Sequence, residues 1–314
     1  MREVVVTGIG MVSCLGQDLA SVSAKLQAGI TGLVRSEERE ALGFRSPLTG
    51  AIQGFDPKDH LSRKERRSMS EPALYMATAA VKALEDAAID RSTLAGPETG
   101  VIVGNDSTCG GAVSAADRTR SEGGTLRLGS SAVVDSMNSS PSINLSVLLR
   151  SQGACWTLSA ACASGAHSIG QAWTLIATGQ QETVVCGGTQ ELCWESMAGF
   201  DGLQAFSTWE GDPAEAVRPF SRDRMGLVPS GGAAALILES RERAEARGAR
   251  IHATVLGYAF SSDGFHVTSP NGAGAARCMR QAMKVAGVGA EEIEYVNAHA
   301  AGTPVGDGVE GRAI

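Results

Sequence analysis

"LSAACASGAHSIG", residues 158–170, decides how this chain is read. Cys155, Trp156, Thr157 and Leu158 read as the end of a buried strand. From Ala163 to Gly179 the apolar residues Ala166, Ile169, Ala172, Trp173 and Ile176 fall at helical spacing, and Gly179 is a suitable stop. Cys162 therefore falls on the turn from strand to helix. The first amides of a helix lack intrahelical partners and carry partial positive charge, so a thiol placed there is drawn toward thiolate, the nucleophilic form. Ala160, Ala161, Ala163, Ser164 and Gly165 are small enough for a tight turn and for a substrate to come close. An inert core cysteine fits the same position, because unpaired cysteine is among the most buried residue types. Position and residue size leave both readings open.

Composition narrows the setting. The 314 residues are 43% hydrophobic and 19% charged with 39 glycines, a globular composition sufficient for one or two domains. No run approaches the roughly 18 apolar residues of a membrane span. "MREVVVTGIG" carries Glu3 and enters a strand directly, so no signal peptide is expected. Seven cysteines without paired spacing point to a reducing compartment and a cytoplasmic location. A net charge of −7 disfavours a general nucleic-acid role. It leaves room for a local basic face at "SRKERRSMS", where Arg63, Lys64, Arg66 and Arg67 crowd together. A solvated helix face is the default reading of such a run.

Strand-like and helical stretches alternate, as in a layered α/β architecture. Val4–Ile9 is a β-branched run, followed by an amphipathic stretch from Asp18 to about Gln27. "SEPALYMATAAVKALEDAAI" reads as a helix with Ser70 as N-cap, Pro72 in the first turn, and a stripe through Leu74, Ala77, Val81 and Leu84. Val101–Val103 is a strand, two helical stretches lead to about Leu149, and "ETVVCGG" and "AAALILE" are further strands. After "SRERAEARGAR" the order starts again: "IHATVLGYAF" as strand, "GAARCMRQAMKVAG" as helix, "IEYVNAHA" as strand. The second series stops early, which suggests a duplicated architecture with an incomplete second copy.

Several motifs lead nowhere. "VVVTGIGMVSCLG" offers Gly-x-Gly after a strand, but the third fingerprint position is Ser13 and no acidic residue stands about 20 positions on at the end of a second strand. Its glycines are expected to shape a strand-to-loop turn. The five histidines are scattered, no Cys-x-x-Cys occurs, and Cys186 and Cys193 are isolated in sequence, so no metal site is expected. Neither a Gly-x-Ser-x-Gly elbow nor a phosphate-binding Gly-Lys-Ser loop is present. What remains is Cys162 together with "NAHAAGTPVGDGVE", where His299 stands at a strand end ahead of a loop, a common place for catalytic groups. A satisfied structural histidine is the plainer reading of the same residue.

"LSAACASGAHSIG", "CGGTQELCWESMAGFD", "VRPFSRDRMGLVPSGG" and "YVNAHAAGTPVGDGVEGRAI" together resemble the β-ketoacyl-acyl-carrier-protein synthases, the bacterial type I condensing enzymes of fatty acid synthesis above all. "GVIVG", "GYAFSSDG" and "GAARCM" match in the same order, so the likeness runs from Val4 to Ile314. The resemblance implies an α/β thiolase-like fold with a duplicated αβαβα layered core whose second half is incomplete. Residues 1–250 would form the N-terminal thiolase-like half with the nucleophile elbow and cap insertions, and 251–314 the start of the C-terminal half. It implies a 3-oxoacyl-carrier-protein synthase, an acyltransferase that joins an acyl-enzyme to malonyl-carrier protein by decarboxylative Claisen condensation. Cys162 matches the acylated nucleophile and His299 the first catalytic histidine. Asp307 and Glu310 match the acidic pair of a Gly-Asp-x-x-Glu segment, Thr303 a pantetheine contact, and Phe200 the acyl-pocket wall. Arg63, Lys64 and Arg67, joined by Arg127, resemble the patch that docks an acidic acyl carrier protein. No cofactor, nucleic acid or membrane is implied; a homodimer is, with a heterodimer as the other arrangement.

Departures from the family pattern are local and terminal. The usual His-Gly-Thr-x-Thr is here His299, Ala300, Ala301, Gly302, Thr303, and Met225 stands where an aspartate is usual. "GNDSTCGG" is less glycine-rich than its counterparts. The family continues into a segment with a lysine, a second histidine and a Gly-Phe-Gly-Gly turn, so the sequence is expected to be part of a longer enzyme. The rival expectations are a noncatalytic partner subunit of the chain-length-factor type, against which the retained Cys162 argues, and a thiolase acting on acyl-coenzyme A.

Overall fold

The β-branched run near the N-terminus opens β1 (Val4–Val12), and Asp18 caps α1 (Leu19–Gln27) by accepting the Ser21 amide. The chain continues through β2 (Leu33–Arg35), α2 (Glu37–Ala41), β3 (Leu48–Gly50), α3 (Arg63–Arg66) and α4 (Glu71–Asp86). Next come β4 (Thr99–Asn105), α5 (Gly110–Ser121), α6 (Ala132–Asp135), α7 (Ser140–Leu149), β5 (Cys155–Leu158) and α8 (Ser164–Ala177). It closes with β6 (Thr183–Gln190), α9 (Trp194–Gly202), β7 (Gly232–Ser240), α10 (Arg241–Ala246), β8 (Ala253–Val255), α11 (Ala273–Ala286) and α12 (Gly306–Ala313). The structure, a computed structural model, describes residues 1–266 and 269–314. Two compact units emerge: Met1–Thr31, Ala51–Ser196 and Ser230–Val255 form the first, and Gly32–Gly50, Met197–Pro229 and Leu256–Ile314 the second.

The first unit is built on one mixed sheet in the order β5-β4-β6-β7-β1-β8. β4 runs parallel to β5 and β6, whereas β7 is antiparallel to β6 and β1, and β8 to β1. Because side chains alternate along a strand, Val101, Val103, Val185, Ala235 and Ile237 face one way, into a core with α4 and α7. Gly104 and Gly188 face the other way, against the start of α8. Helices therefore cover both faces, and the C-terminal ends of β4 and β6 meet the turn that carries Cys162.

Gly8 and Gly10 do not shape a turn. Both lie inside β1, where a Cβ on either would stand 2.1 Å from a backbone carbonyl oxygen of α4, Ala83 for Gly8 and Ala79 for Gly10. The glycines let helix and strand touch backbone to backbone. α4 is consequently enclosed on most sides: besides Ala77 and Leu84, it buries Ala73, Tyr75, Met76, Ala79, Ala80 and Ala83, while Leu74 and Val81 are only half-buried. Ser70 sits at the N-cap position, but its hydroxyl donates to Ser140 Oγ at 3.0 Å rather than capping.

Three other expectations need correction. β5 is not buried: it lies at the sheet edge beside β4 alone, Cys155 is exposed, and Trp156 is 38% exposed. On α8, Ala166 faces solvent while Ala172, Trp173 and Ile176 are buried. Of "IHATVLGYAF" only Ala253–Val255 pairs as strand, and "IEYVNAHA" forms no strand among the described residues. A strand requires a ladder partner, and none of the described residues pairs with residues 293–300.

The second unit contains the β2–β3 hairpin, in which Leu33 faces Gly50 across the ladder. Buried Asp201 accepts the amides of Arg45 (2.8 Å) and Ser46 (3.1 Å), which anchors the hairpin's approach. Among the described residues no helix is long and apolar enough to cross a membrane.

Candidate active site

The turn between β5 and α8 is held from both sides. Ser164, buried at the first position of α8, accepts the Ala160 amide at 2.8 Å and donates its hydroxyl to the Ala161 carbonyl at 2.6 Å. The amides of Ala163 and Ser164 donate to the carbonyls of Ala160 and Ala161, each at 3.1 Å. Ala161 takes φ +48°, a left-handed conformation uncommon outside glycine. Close packing fixes the helix start as well: a Cβ on Gly104 would stand 2.3 Å from the Ser164 carbonyl carbon, and one on Gly188 3.1 Å from Gly165 Cα. Cys162 is exposed and borders a cavity of about 510 Å³, shared with Ser13, Asn105, Asp106, Gly165 and Gly188. No acidic residue occupies the first turn of α8, and no side chain caps its amides.

Asp106, which sequence reading passed over, is part of this arrangement. It follows β4 and accepts hydrogen bonds from the hydroxyls of Ser159 and Ser107. Those hydroxyls, with help from the Ala161 amide, hold its carboxyl below the usual carboxylate range. The signal available in sequence was an acidic residue at the C-terminal end of a buried strand, where α/β folds place functional groups.

In the second unit the segment 299–310 closes on itself. Glu310 accepts the amides of His299 (2.6 Å) and Ala300 (2.8 Å). Asp307, 1% exposed, accepts the amides of Gly302 (2.9 Å) and Phe220 (2.8 Å) and lies 3.7 Å from Arg224 Nε. Arg224 also donates to the carbonyls of Thr303 and Pro304. The two carboxylates, one turn apart on α12, thus position the loop that presents exposed His299. Ala300 is left-handed at φ +46°, where the family's glycine is unstrained. Thr303 Oγ1 accepts the Gly306 amide at 3.1 Å, and Met225 is exposed. Phe200, 37% exposed, stacks on Phe206 at 6.2 Å between ring centroids. Cys162 belongs to the first unit; His299, Thr303, Asp307, Glu310 and Phe200 belong to the second.

Arg63 and Lys64 stand exposed on α3, and Arg67 caps its end. The helix opens with a capping box between Ser62 and Glu65. Arg127 is exposed on the segment after α5, away in sequence from that turn. Cys162 is exposed, whereas Cys186 is buried and Cys193 half-buried. Burial drives the Cys186 thiol far upward, and burial pushes Cys193 up to about 12. Cys193 is not isolated in space: its sulfur lies with Cys109 and Glu191, the ligand atoms within 4.8 Å of one another.

The model of the β-ketoacyl synthase N-terminal domain matches residues 1–244, and that of the C-terminal domain matches residues 252–314. The 3-oxoacyl-[acyl-carrier-protein] synthase 1 of Haemophilus influenzae is 37% identical over 316 residues, which span all of this chain and 77% of the relative. Its namesake in Escherichia coli is 37% identical over 320 residues with the same coverage. A crystal structure of a β-ketoacyl synthase from Burkholderia phymatum superposes with a TM-score of 0.94 at 35% identity, covering 100% of this chain and 77% of that one. The ishigamide ketosynthase/chain length factor gives 0.90 at 32% identity, with the same coverage. A type II polyketide synthase ketosynthase in complex with its acyl-carrier protein gives 0.89 at 29%, covering 99% of this chain and 76% of that one. The chain belongs to the β-ketoacyl synthase family and has its thiolase-like α/β fold.

Proposed function

We propose that this β-ketoacyl synthase family member is a 3-oxoacyl-acyl-carrier-protein synthase with Cys162 as its nucleophile. The observation that carries the reading is an exposed thiol on a clamped strand-to-helix turn at the wall of a cavity. Cys162 attacks the carbonyl carbon of a carrier-bound acyl thioester; a carbon–sulfur bond forms, the pantetheine thiolate leaves, and an acyl-enzyme results. The Cys162 amide donates to the oxyanion of the tetrahedral intermediate. Malonyl-carrier protein then loses carbon dioxide, and the electron pair of the broken carbon–carbon bond moves into an enolate. His299 donates a hydrogen bond to that enolate oxygen. The enolate carbon attacks the acyl-cysteine, Cys162 leaves as thiolate, and 3-oxoacyl-carrier protein is released.

The remaining residues have supporting parts. Glu310 and Asp307 hold the His299 loop through the backbone amides they accept. Thr303 contacts the pantetheine arm and Phe200 borders the acyl chain. Arg63, Lys64, Arg67 and Arg127 receive the acidic carrier protein, a partner supported by the structural neighbour solved in complex with an acyl-carrier protein. The exposed edge strand β5 suits pairing of two copies into a homodimer.

A second reading, a chain-length-factor type partner without catalysis, is favoured by Ala300 and Ala301 in place of the family's glycine and threonine and by a neighbour described as a ketosynthase/chain length factor. Intact-protein mass after incubation with acyl-carrier protein, before and after malonyl-carrier protein, separates the two. Synthase activity gives a mass gain that Cys162→Ala abolishes and malonyl-carrier protein clears. The absence of any gain under conditions where a relative is acylated overturns the proposal.

A further inference from the structure

Away from the chemistry of Cys162, three metal-ligating side chains converge in the first unit. Cys109 stands at the N-cap position of α5, Glu191 follows β6, and Cys193 immediately precedes α9. Their ligand atoms lie within 4.8 Å of one another, compatible with the sulfur–sulfur and sulfur–oxygen separations around one tetrahedral ion of the zinc type. Glu191 is the anchor. It is 2% exposed, and its Oε1 accepts the amides of Cys109 (2.7 Å) and Gly110 (3.1 Å). Among the described residues no lysine, arginine or histidine side chain forms an ion pair with this buried carboxylate; its partners are the two amides and the Cys193 thiol.

Gly110 packs directly against the cluster. A Cβ there would stand 3.1 Å from Cys193 Sγ and 3.2 Å from Glu191 Oε2. Sulfur and oxygen therefore lie side by side against a residue whose lack of a side chain leaves them uncrowded. Two thiols and one carboxylate form a soft-to-borderline donor set that suits zinc-like ions and disfavours magnesium or calcium.

We propose that Cys109, Glu191 and Cys193 bind one divalent cation of the zinc class, with water as fourth ligand, tying the start of α5 to the β6–α9 connection. Binding replaces two sulfur–hydrogen bonds with two sulfur–metal bonds and releases two protons to solvent. The site uses neither Cys162 nor His299, so it stands apart from the condensation chemistry.

The test uses the reduced, metal-stripped full chain titrated with cobalt(II). The expected result is uptake of one equivalent with a thiolate-to-cobalt band in the near ultraviolet. Cys109→Ser and Cys193→Ser abolish the band, Cys162→Ala retains it, and zinc displaces it. Should the serine variants misfold, the wild-type chain answers alone. Zinc slows maleimide labelling of Cys109 and Cys193 by about tenfold or more and leaves Cys162 labelling unchanged. The proposal is overturned by any of three results: no cobalt band and no protection, a band that disappears with Cys162→Ala, or a Cys109–Cys193 disulfide formed in air by a chain that takes up no cobalt once reduced.

Discussion

Ser164 and Asp106 do most to hold the nucleophile's turn, and neither is the nucleophile. Replacing Ser164 by Ala leaves the Ala160 amide and the Ala161 carbonyl without the hydroxyl they share. Chemical denaturation is expected to show a loss of about 1–3 kcal/mol; an unchanged midpoint would show that the turn holds without the clamp. Asp106 gives a pH signature. Its carboxyl is held low in the folded state by Ser159 first, then Ser107. Its stabilisation is therefore complete above the ordinary aspartate value of ~3.9 and is lost as pH falls through the depressed folded value. The stability gap between wild type and Asp106→Asn should stay flat above about pH 5 and close below about pH 4. A gap that widens on acidification contradicts this assignment. The turn itself was legible in the sequence, because small residues between a strand and a helical period are a local signal. Its clamp was not: Asp106 and Ser159 are 53 residues apart, and local pattern carries nothing about such pairs.

Among the elements, β1 and α4 form the tightest pair, and their contact is a test of backbone packing. Gly10→Ala places a methyl 2.1 Å from a carbonyl oxygen that belongs to helix backbone and cannot rotate away. A loss of about 2–3 kcal/mol or more is expected by thermal denaturation. Gly29→Ala serves as control: its φ is +65° with open space around it, so only conformational strain of about 1 kcal/mol applies. Equal losses would refute close packing as the cause. A second element-scale test concerns Glu239, fully buried in β7, which accepts from Thr7 Oγ1 at 2.6 Å and from Arg247 Nη2 at 2.6 Å. Arg247→Ala leaves that carboxylate with Arg243 at 3.5 Å as its nearest cation and is expected to cost about 3 kcal/mol. The glycines of β1 were visible in sequence but ambiguous, since one Gly-x-Gly serves a phosphate loop, a turn or a close-packed strand equally well. β5 was misjudged for a related reason: apolar residues identify a strand without saying how many neighbours it has.

At the scale of the whole molecule, the longer strands and helices of residues 1–250 were readable because each carries its own period and its own punctuation, whereas β2, β3 and α9 passed unnoticed. What followed was less so. "IEYVNAHA" has the composition of a strand, with Tyr295 79% exposed and Ile293 and Val296 also open, yet strand structure is a property of pairs. Exposed Trp156 on the β5 edge gives an assembly test. Sedimentation is expected to show a dimer that Trp156→Lys dissociates; a dimer indifferent to that change places the interface elsewhere. The backbone contact between β1 and α4 has one more consequence. With no side chains between them at Gly8 and Gly10, there is no rotamer by which strand and helix can part gradually. Their amide protons should exchange with solvent together and last of all, as one cooperative opening. Because Ile9 between them donates its amide to Asp86, one turn beyond Ala83, that opening takes the C-terminal half of α4 with it.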